Sequence, residues 1–247
     1  MFQDAGEVLM LLWRTFRALP CAWRQRRKVF EQLFEVGNAS LLMACVLSLF
    51  IGGVLALQTG PVLAERGLSN FIGQVVGLSL CRELAPVMMA ILVAGRVGSA
   101  WAAEIGSMTV YQEVDALRTM NIDPVRYLVL PRMIAIVVGL PVLVLFSVLV
   151  GWVGGAFIAY LNYQVGISFH AYFSSLRNGV DAWDVLHGMA KGAGFAVIIG
   201  IICCAQGLST IGGPRGIGRT VTKAVVNSIA FILLLDYFFT RFLMLLD

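Results

Sequence analysis

Between Glu35 and Glu65 the chain carries no charge for 29 residues, enough for one membrane-crossing helix with tilt. From Gly67 to Gly95 the only charges are Arg82 and Glu83, so a second span holds a charged pair within it. Residues 96–132 are polar. Met133 to Leu176 then runs 44 residues without charge. One straight crossing uses about 20 residues, so this run is too long for a single span and its end needs another reading. The segment LNYQVGISFHAYFSSL (161–176) mixes polar uncharged and aromatic residues, as an interface does. It is therefore assigned, with the residues up to 190, to an external segment, and the span before it to about 133–160. Gly192 to Pro214 is uncharged and supplies a fourth span, and 224–244 a fifth, with Asp236 inside it. The apolar runs are continuous rather than alternating, which points to helices and not a barrel. The expectation is an all-α integral membrane protein of one domain over 1–247, with spans at about 37–60, 70–96, 133–160, 192–211 and 224–244.

Residues 6–30 follow a different pattern. Val8, Leu9, Leu11, Leu12, Trp13, Phe16 and Leu19 interleave with Arg14 and Arg17, and Arg24, Arg26, Arg27 and Lys28 follow. This predicts an amphipathic helix in the membrane interface, its cations toward anionic headgroups; the alternative is a helix packed on the protein with a solvent face. Asp4 and Glu7 precede the apolar residues, the reverse of a cleavable signal. Composition agrees with a membrane protein: 59% of residues are hydrophobic, 13% are charged, and mean hydropathy is +0.86. A soluble domain carries about 25% charge. The net charge of +4 matters through its placement. With five spans and a cytoplasmic N-terminus, thirteen Lys and Arg fall on the cytoplasmic side, against Arg66, Arg177 and Arg241 opposite. No basic run interleaved with aromatics suggests nucleic acid.

The chemistry that motifs could supply is sparse. Gly213-Pro-Arg-Gly-Ile-Gly-Arg-Thr220 has the spacing of a P-loop, but Arg219 stands where the Lys is required and a span, not a strand, precedes it. It reads as a flexible basic turn facing the inner surface or a partner. There is no HExxH and no GxSxG. His170 and His187, with Asp181 and Asp184 nearby, read as a solvated loop rather than a metal site, and the five scattered cysteines as free thiols. No cofactor is expected. Charges inside a span cost more and face a cavity or partner. Arg82 and Glu83 are adjacent, about 100° apart on a helix, so each needs another neighbour. Pro86 removes a backbone bond one turn later and favours a kink. Two readings stand: the wall of an amphiphile site, or an anchor at the headgroup boundary. Lys191 and Asp236 read as snorkelling charges or members of structural ion pairs.

Within the polar loop, Gly95, Gly98, Ser99, Ala102, Ala103 and Gly106 form a small-residue face suited to close helix packing, including against a symmetry mate. Glu113, Asp115 and Arg118 beside Val114, Leu117 and Met120 predict a short amphipathic helix, broken by Asn121 and Asp123-Pro124. So short a helix is marginal alone and needs a surface to dock on.

RELAPVMMAILVAGRVGSAWAAEIGSM, then EVDALRTMNIDPVRYLVLPR, and later GGPRGIGRTVTKAVVNS and LDYFFT, closely resemble the MlaE/YrbE-type permeases of lipid-transporting ABC systems, from about residue 30 to the end. The resemblance implies a homodimeric permease in a bacterial inner membrane, N-terminus cytoplasmic and C-terminus periplasmic. It has no nucleotide site of its own and works with two copies of a cytoplasmic ABC ATPase and an MCE-domain substrate-binding protein, moving phospholipid or a related lipid between membranes. It places ATPase coupling on Glu104, Glu113, Asp115, Leu117, Arg118 and Met120, within loop 97–132, and lipid binding on Leu55, Gln58, Val62, Leu63, Arg82 and Glu83. Gly60-Pro61 at the cavity mouth is a departure from the expected pattern. A second reading is an ion-coupled secondary transporter using Arg82, Glu83 and Asp236; a third is a non-transporting membrane scaffold.

Overall fold

The computed structural model describes residues 2–18, 25–162 and 165–243. Leu19, Cys21, Arg24 and positions 163, 164 and 244, which the sequence places in the interfacial helix, the external segment and the last span, lie outside the described residues. Among the described residues every regular element is a helix. They are α1 (Phe2–Ala18), α2 (Arg26–Glu65), α3 (Ser69–Val110), α4 (Glu113–Thr119), α5 (Val125–Leu161), α6 (Phe169–Gly179), α7 (Ala182–Leu208) and α8 (Gly213–Leu243). Five of them (α2, α3, α5, α7 and α8) are long and apolar enough to cross a membrane. The 44-residue uncharged run holds most of α5, which ends at Leu161, and the start of the separate α6.

Contacts divide the chain into two compact units: Met1–Ser40, Ala90–Leu140 and Ala193–Asp247 form the first, Leu41–Met89 and Pro141–Gly192 the second. In the second unit the backbones of α2 and α5 meet through small residues. A Cβ on Gly52 would strike the Gly151 carbonyl, and one on Gly154 the Leu49 backbone. One turn away the Ser48 and Ser147 hydroxyls bond each other at 2.6 Å. Lipid gives helices no hydrophobic reason to associate, so close approach and shared hydroxyls hold such a pair. The opposite stripe of α2 (Leu42, Val46, Phe50, Val54, Leu57) is apolar and exposed, as a lipid-facing side must be. The α2 helix continues through Pro61 to Glu65. The same unit buries Ala56, Ile72, Val76, Leu80, Ala156, Tyr172 and Leu176 together. Ser168 caps α6, its Oγ accepting from the Ala171 N–H at 3.3 Å. Burial raises the Tyr172 phenol above its ordinary pKa.

In the first unit the described side chains of α1 pack through one narrow face. Leu11, Thr15 and Ala18 are buried, while Trp13 and Phe16 stay 70% and 69% exposed beside Arg14 and Arg17. Leu11 joins a cluster with Ile105, Val125, Val129, Met133, Ile201 and Cys204. The small-residue face of α3 finds its partner within the chain: Gly98 lies against Cys203 and Ile199 of α7, and Gly106 against Thr210. Gly95 has nothing within 4 Å of its would-be Cβ.

Candidate functional site

Four charges carried by the crossing helices, Arg82, Glu83, Asp184 and Lys191, are collected at one place in the second unit. Leu80–Leu84 of α3 is a π-helical turn that carries Arg82 and Glu83. Pro86 has no N–H to offer the Arg82 carbonyl four residues earlier. The Lys191 ammonium donates to that carbonyl at 2.9 Å and to Glu83 Oε1 at 2.8 Å. Arg82 Nε donates to Asp184 Oδ1 at 2.7 Å. The other Asp184 oxygen accepts from the Asp181 N–H at 2.9 Å, at the start of α7. Asp184, Gly188 and Lys191 are spaced i, i+4, i+7 and so share one face of α7. Gly188 between them lets the helices touch: a Cβ there would meet the Cys81 carbonyl and lie 3.4 Å from Pro86.

The result is a neutral set of two cations and two carboxylates. Lys191 and Asp184 are buried, their side chains 2% and 6% exposed, whereas Arg82 and Glu83 are 46% and 41% exposed. The buried members fix the accessible ones in place. Asp184 is thus not the solvated loop residue that the sequence suggested, and of the two readings for Lys191 the structure shows the second, membership of an ion pair. Both were missed as site residues. The signal that would have found them is the 184/188/191 spacing, two opposite charges flanking a glycine on an otherwise apolar helix face.

The sequence-predicted apolar wall belongs to the same unit. Leu55 and Leu63 are half-buried against the unit's core, and Gln58 and Val62 are exposed one turn apart on α2. Asp236, which the ion-coupled reading joins to Arg82 and Glu83, belongs to the first unit.

The predicted coupling residues lie in the first unit. After α3 ends at Val110, Gln112 takes φ 60° and opens α4. The helix closes with Asn121 at φ 59°, a left-handed conformation that Asn tolerates well. The Asn121 N–H donates to the Arg118 carbonyl at 3.0 Å and the Ile122 N–H to the Leu117 carbonyl at 2.9 Å. These two bonds make a Schellman termination. Asp123 Oδ1 then accepts from the Val125 N–H at 3.0 Å and starts α5. Val114 alone in α4 is buried; Glu113, Asp115, Arg118 and the adjoining Met120 are exposed and Leu117 is half-buried. Arg118 pairs with Asp115 at 3.0 Å on this open face. Glu104 differs from the others. Its Oε2 binds Arg132 Nη2 at 2.7 Å, and Arg132 is buried, so Glu104 ties α3 to the start of α5.

The near-P-loop opens α8. Arg215, Arg219 and Lys223, one turn apart, line a basic recess of about 700 Å³ with Thr222 and Asn227.

The family model of permease MlaE matches residues 29–242. A probable ABC transporter permease protein of Synechocystis sp. is 42% identical over 213 residues, 86% of this chain and 80% of that one. A probable ABC transporter permease protein of Rickettsia typhi is 40% identical over 215 residues, 87% of this chain and 82% of that one. The chloroplastic protein TRIGALACTOSYLDIACYLGLYCEROL 1 of Arabidopsis thaliana is 38% identical over 216 residues, 87% of this chain and 61% of that one.

Proposed function

The chain belongs to the MlaE permease family of ABC transporters, and on that premise we propose that it is the membrane half of a lipid transporter whose ATPase is a separate subunit. The observation that carries the lipid reading is the charge set of the second unit. An amphiphile site needs apolar walls and a polar fixture within them, and Arg82 and Glu83 are such a fixture, held by Asp184 and Lys191 in otherwise apolar helices. Leu55, Gln58, Val62 and Leu63 supply the wall. The name of the Arabidopsis relative, which contains that of a diacylglycerol glycolipid, supports a lipid cargo. Because the four charges sum to zero, Arg82 acts on a headgroup through positioned N–H donors rather than through net charge. Two copies of the chain form the permease, an MCE-domain protein receives or delivers the lipid, and α1 lies in the membrane interface with Trp13 and Phe16 outward. The protein sits in the inner membrane, N-terminus cytoplasmic and C-terminus periplasmic.

Docking of the ATPase falls to α4, whose exposed acid, base and methionine are held out on a capped helix with a single buried anchor. The test is lipid analysis by mass spectrometry of the purified permease–ATPase complex, with Arg82→Ala/Asp184→Asn as the variant. The pair is changed together because Arg82→Ala alone strands a buried carboxylate. Loss of bound lipid and of ATP-driven lipid movement at unchanged assembly is expected; unchanged lipid content and transport would refute the role of Arg82.

A further inference from the structure

A second polar site lies in the first unit, apart from the residues of the cargo reading. At the start of α2 a recess of about 160 Å³ is lined by Lys28, Glu31, Gln32, Tyr127 and Arg132, among others. Lys28 Nζ stands 3.1 Å over the Tyr127 ring, which pre-orients it. Among the described residues no carboxylate pairs with Lys28, and Glu31 is held by Arg27 at 3.1 Å. The Arg132 side chain is 5% exposed; its Nη2 is taken by Glu104, and its Nη1 has no partner. Gln32 gives its Nε2 to Glu35 at 3.1 Å, which leaves its Oε1 also covered and without a partner. Buried donors and acceptors in a folded protein find partners, so these two ask for one. What is missing must accept from a guanidinium and an ammonium and must also donate to an amide oxygen.

The sequence sets the depth of this recess. Lys28 and Gln32 lie in the two turns before the charge-free run that starts at Val36, and Arg132 is the last charge before the run that starts at Met133. Residues so placed stand at headgroup level, where tyrosine also collects. We propose that the recess binds a phosphate group that brings its own hydrogen-bond donor. Its oxygens take Lys28 Nζ and Arg132 Nη1, and its donor takes Gln32 Oε1. Two sources carry that chemistry: the headgroup of an ethanolamine phospholipid, through its ammonium, and free hydrogen phosphate, through its hydroxyl. This lipid or ion is a resident of the permease and does not depend on the identity of the cargo.

The test uses the delipidated full-length chain in detergent, titrated with phosphatidylethanolamine, with phosphatidylcholine, which has no headgroup donor, and with inorganic phosphate. Native mass spectrometry counts bound lipid and a thermal melt reports phosphate. The wild type should hold one phosphatidylethanolamine about tenfold tighter than Lys28→Met does, as loss of a charge-assisted bond requires. It should also prefer phosphatidylethanolamine to phosphatidylcholine, a preference that Gln32→Met removes. If instead phosphate raises the wild-type melting temperature but not that of Lys28→Met, and lipid binding is the same in both, the phosphate site stands and its source is the free ion. Equal binding of both lipids by wild type and both variants, with no response to phosphate, overturns the proposal. So does a wild type that holds phosphatidylcholine as tightly as phosphatidylethanolamine and ignores phosphate.

Discussion

Replacing Lys191 by Met would remove one donor from two acceptors at once, the Glu83 carboxylate and the Arg82 carbonyl. Breaking a buried pair from one side costs about 3–5 kcal/mol, and the low end applies here because Glu83 is half-exposed and can draw water. Arg82→Ala should cost more, because the carboxylate it abandons, Asp184, is buried. Thermal or denaturant unfolding of the purified chain in detergent measures both. Lys191→Met/Glu83→Gln should recover part of the loss but not all, because the Lys191 bond to the Arg82 carbonyl is still missing; full additivity of the two single changes would show that the pair is not coupled. The charges of α3 were legible in the sequence because they interrupt an apolar run, and so was their need for other neighbours. Their partners were not, because Asp184 and Lys191 lie about a hundred residues away and no periodicity states which helix faces meet.

At the scale of elements, α4 is too short to hold itself, and its order comes from Val114 beneath it and the Asn121 termination behind it. Val114→Asp should therefore loosen the segment 111–122 locally, raising its amide exchange while that of α5 stays slow. Asn121→Val puts a β-branched residue at positive φ and should cost about 1–2 kcal/mol, whereas Asn121→Gly should be nearly neutral. Changes on the exposed face act differently. Asp115→Lys or Met120→Glu should weaken co-purification of the ATPase by about tenfold or more while the permease melts as before, since neither side chain is part of the fold. A partner that still co-purifies fully with both variants docks elsewhere. The short amphipathic helix was visible from its residue pattern and its breakers. The role of Glu104 was not, because only the folded chain shows that Arg132 captures it.

At the scale of the molecule, the five crossing helices could be read from where charge is missing, since the cost of burying charge in lipid is written directly into the sequence. The approach of α2 and α5 could not. Gly52, Gly151 and Gly154 are permissive residues, and only contact shows that they mark a seam rather than a weak point. The choice of energy source belongs to this scale too. An ion relay through Glu83 requires that carboxylate to lose its charge, which would weaken its pair with the buried Lys191 ammonium. A structure that fixes both α3 charges in opposite-sign pairs is better suited to hold a headgroup than to pass protons. Proteoliposomes carrying the permease with its ATPase should therefore move fluorescent phospholipid only when ATP is hydrolysed. Collapsing the proton and sodium gradients with ionophores should leave the rate unchanged, and a hydrolysis-deficient ATPase should abolish it. Transport that persists without the ATPase and stops with the ionophores would assign Arg82 and Glu83 to ion coupling instead.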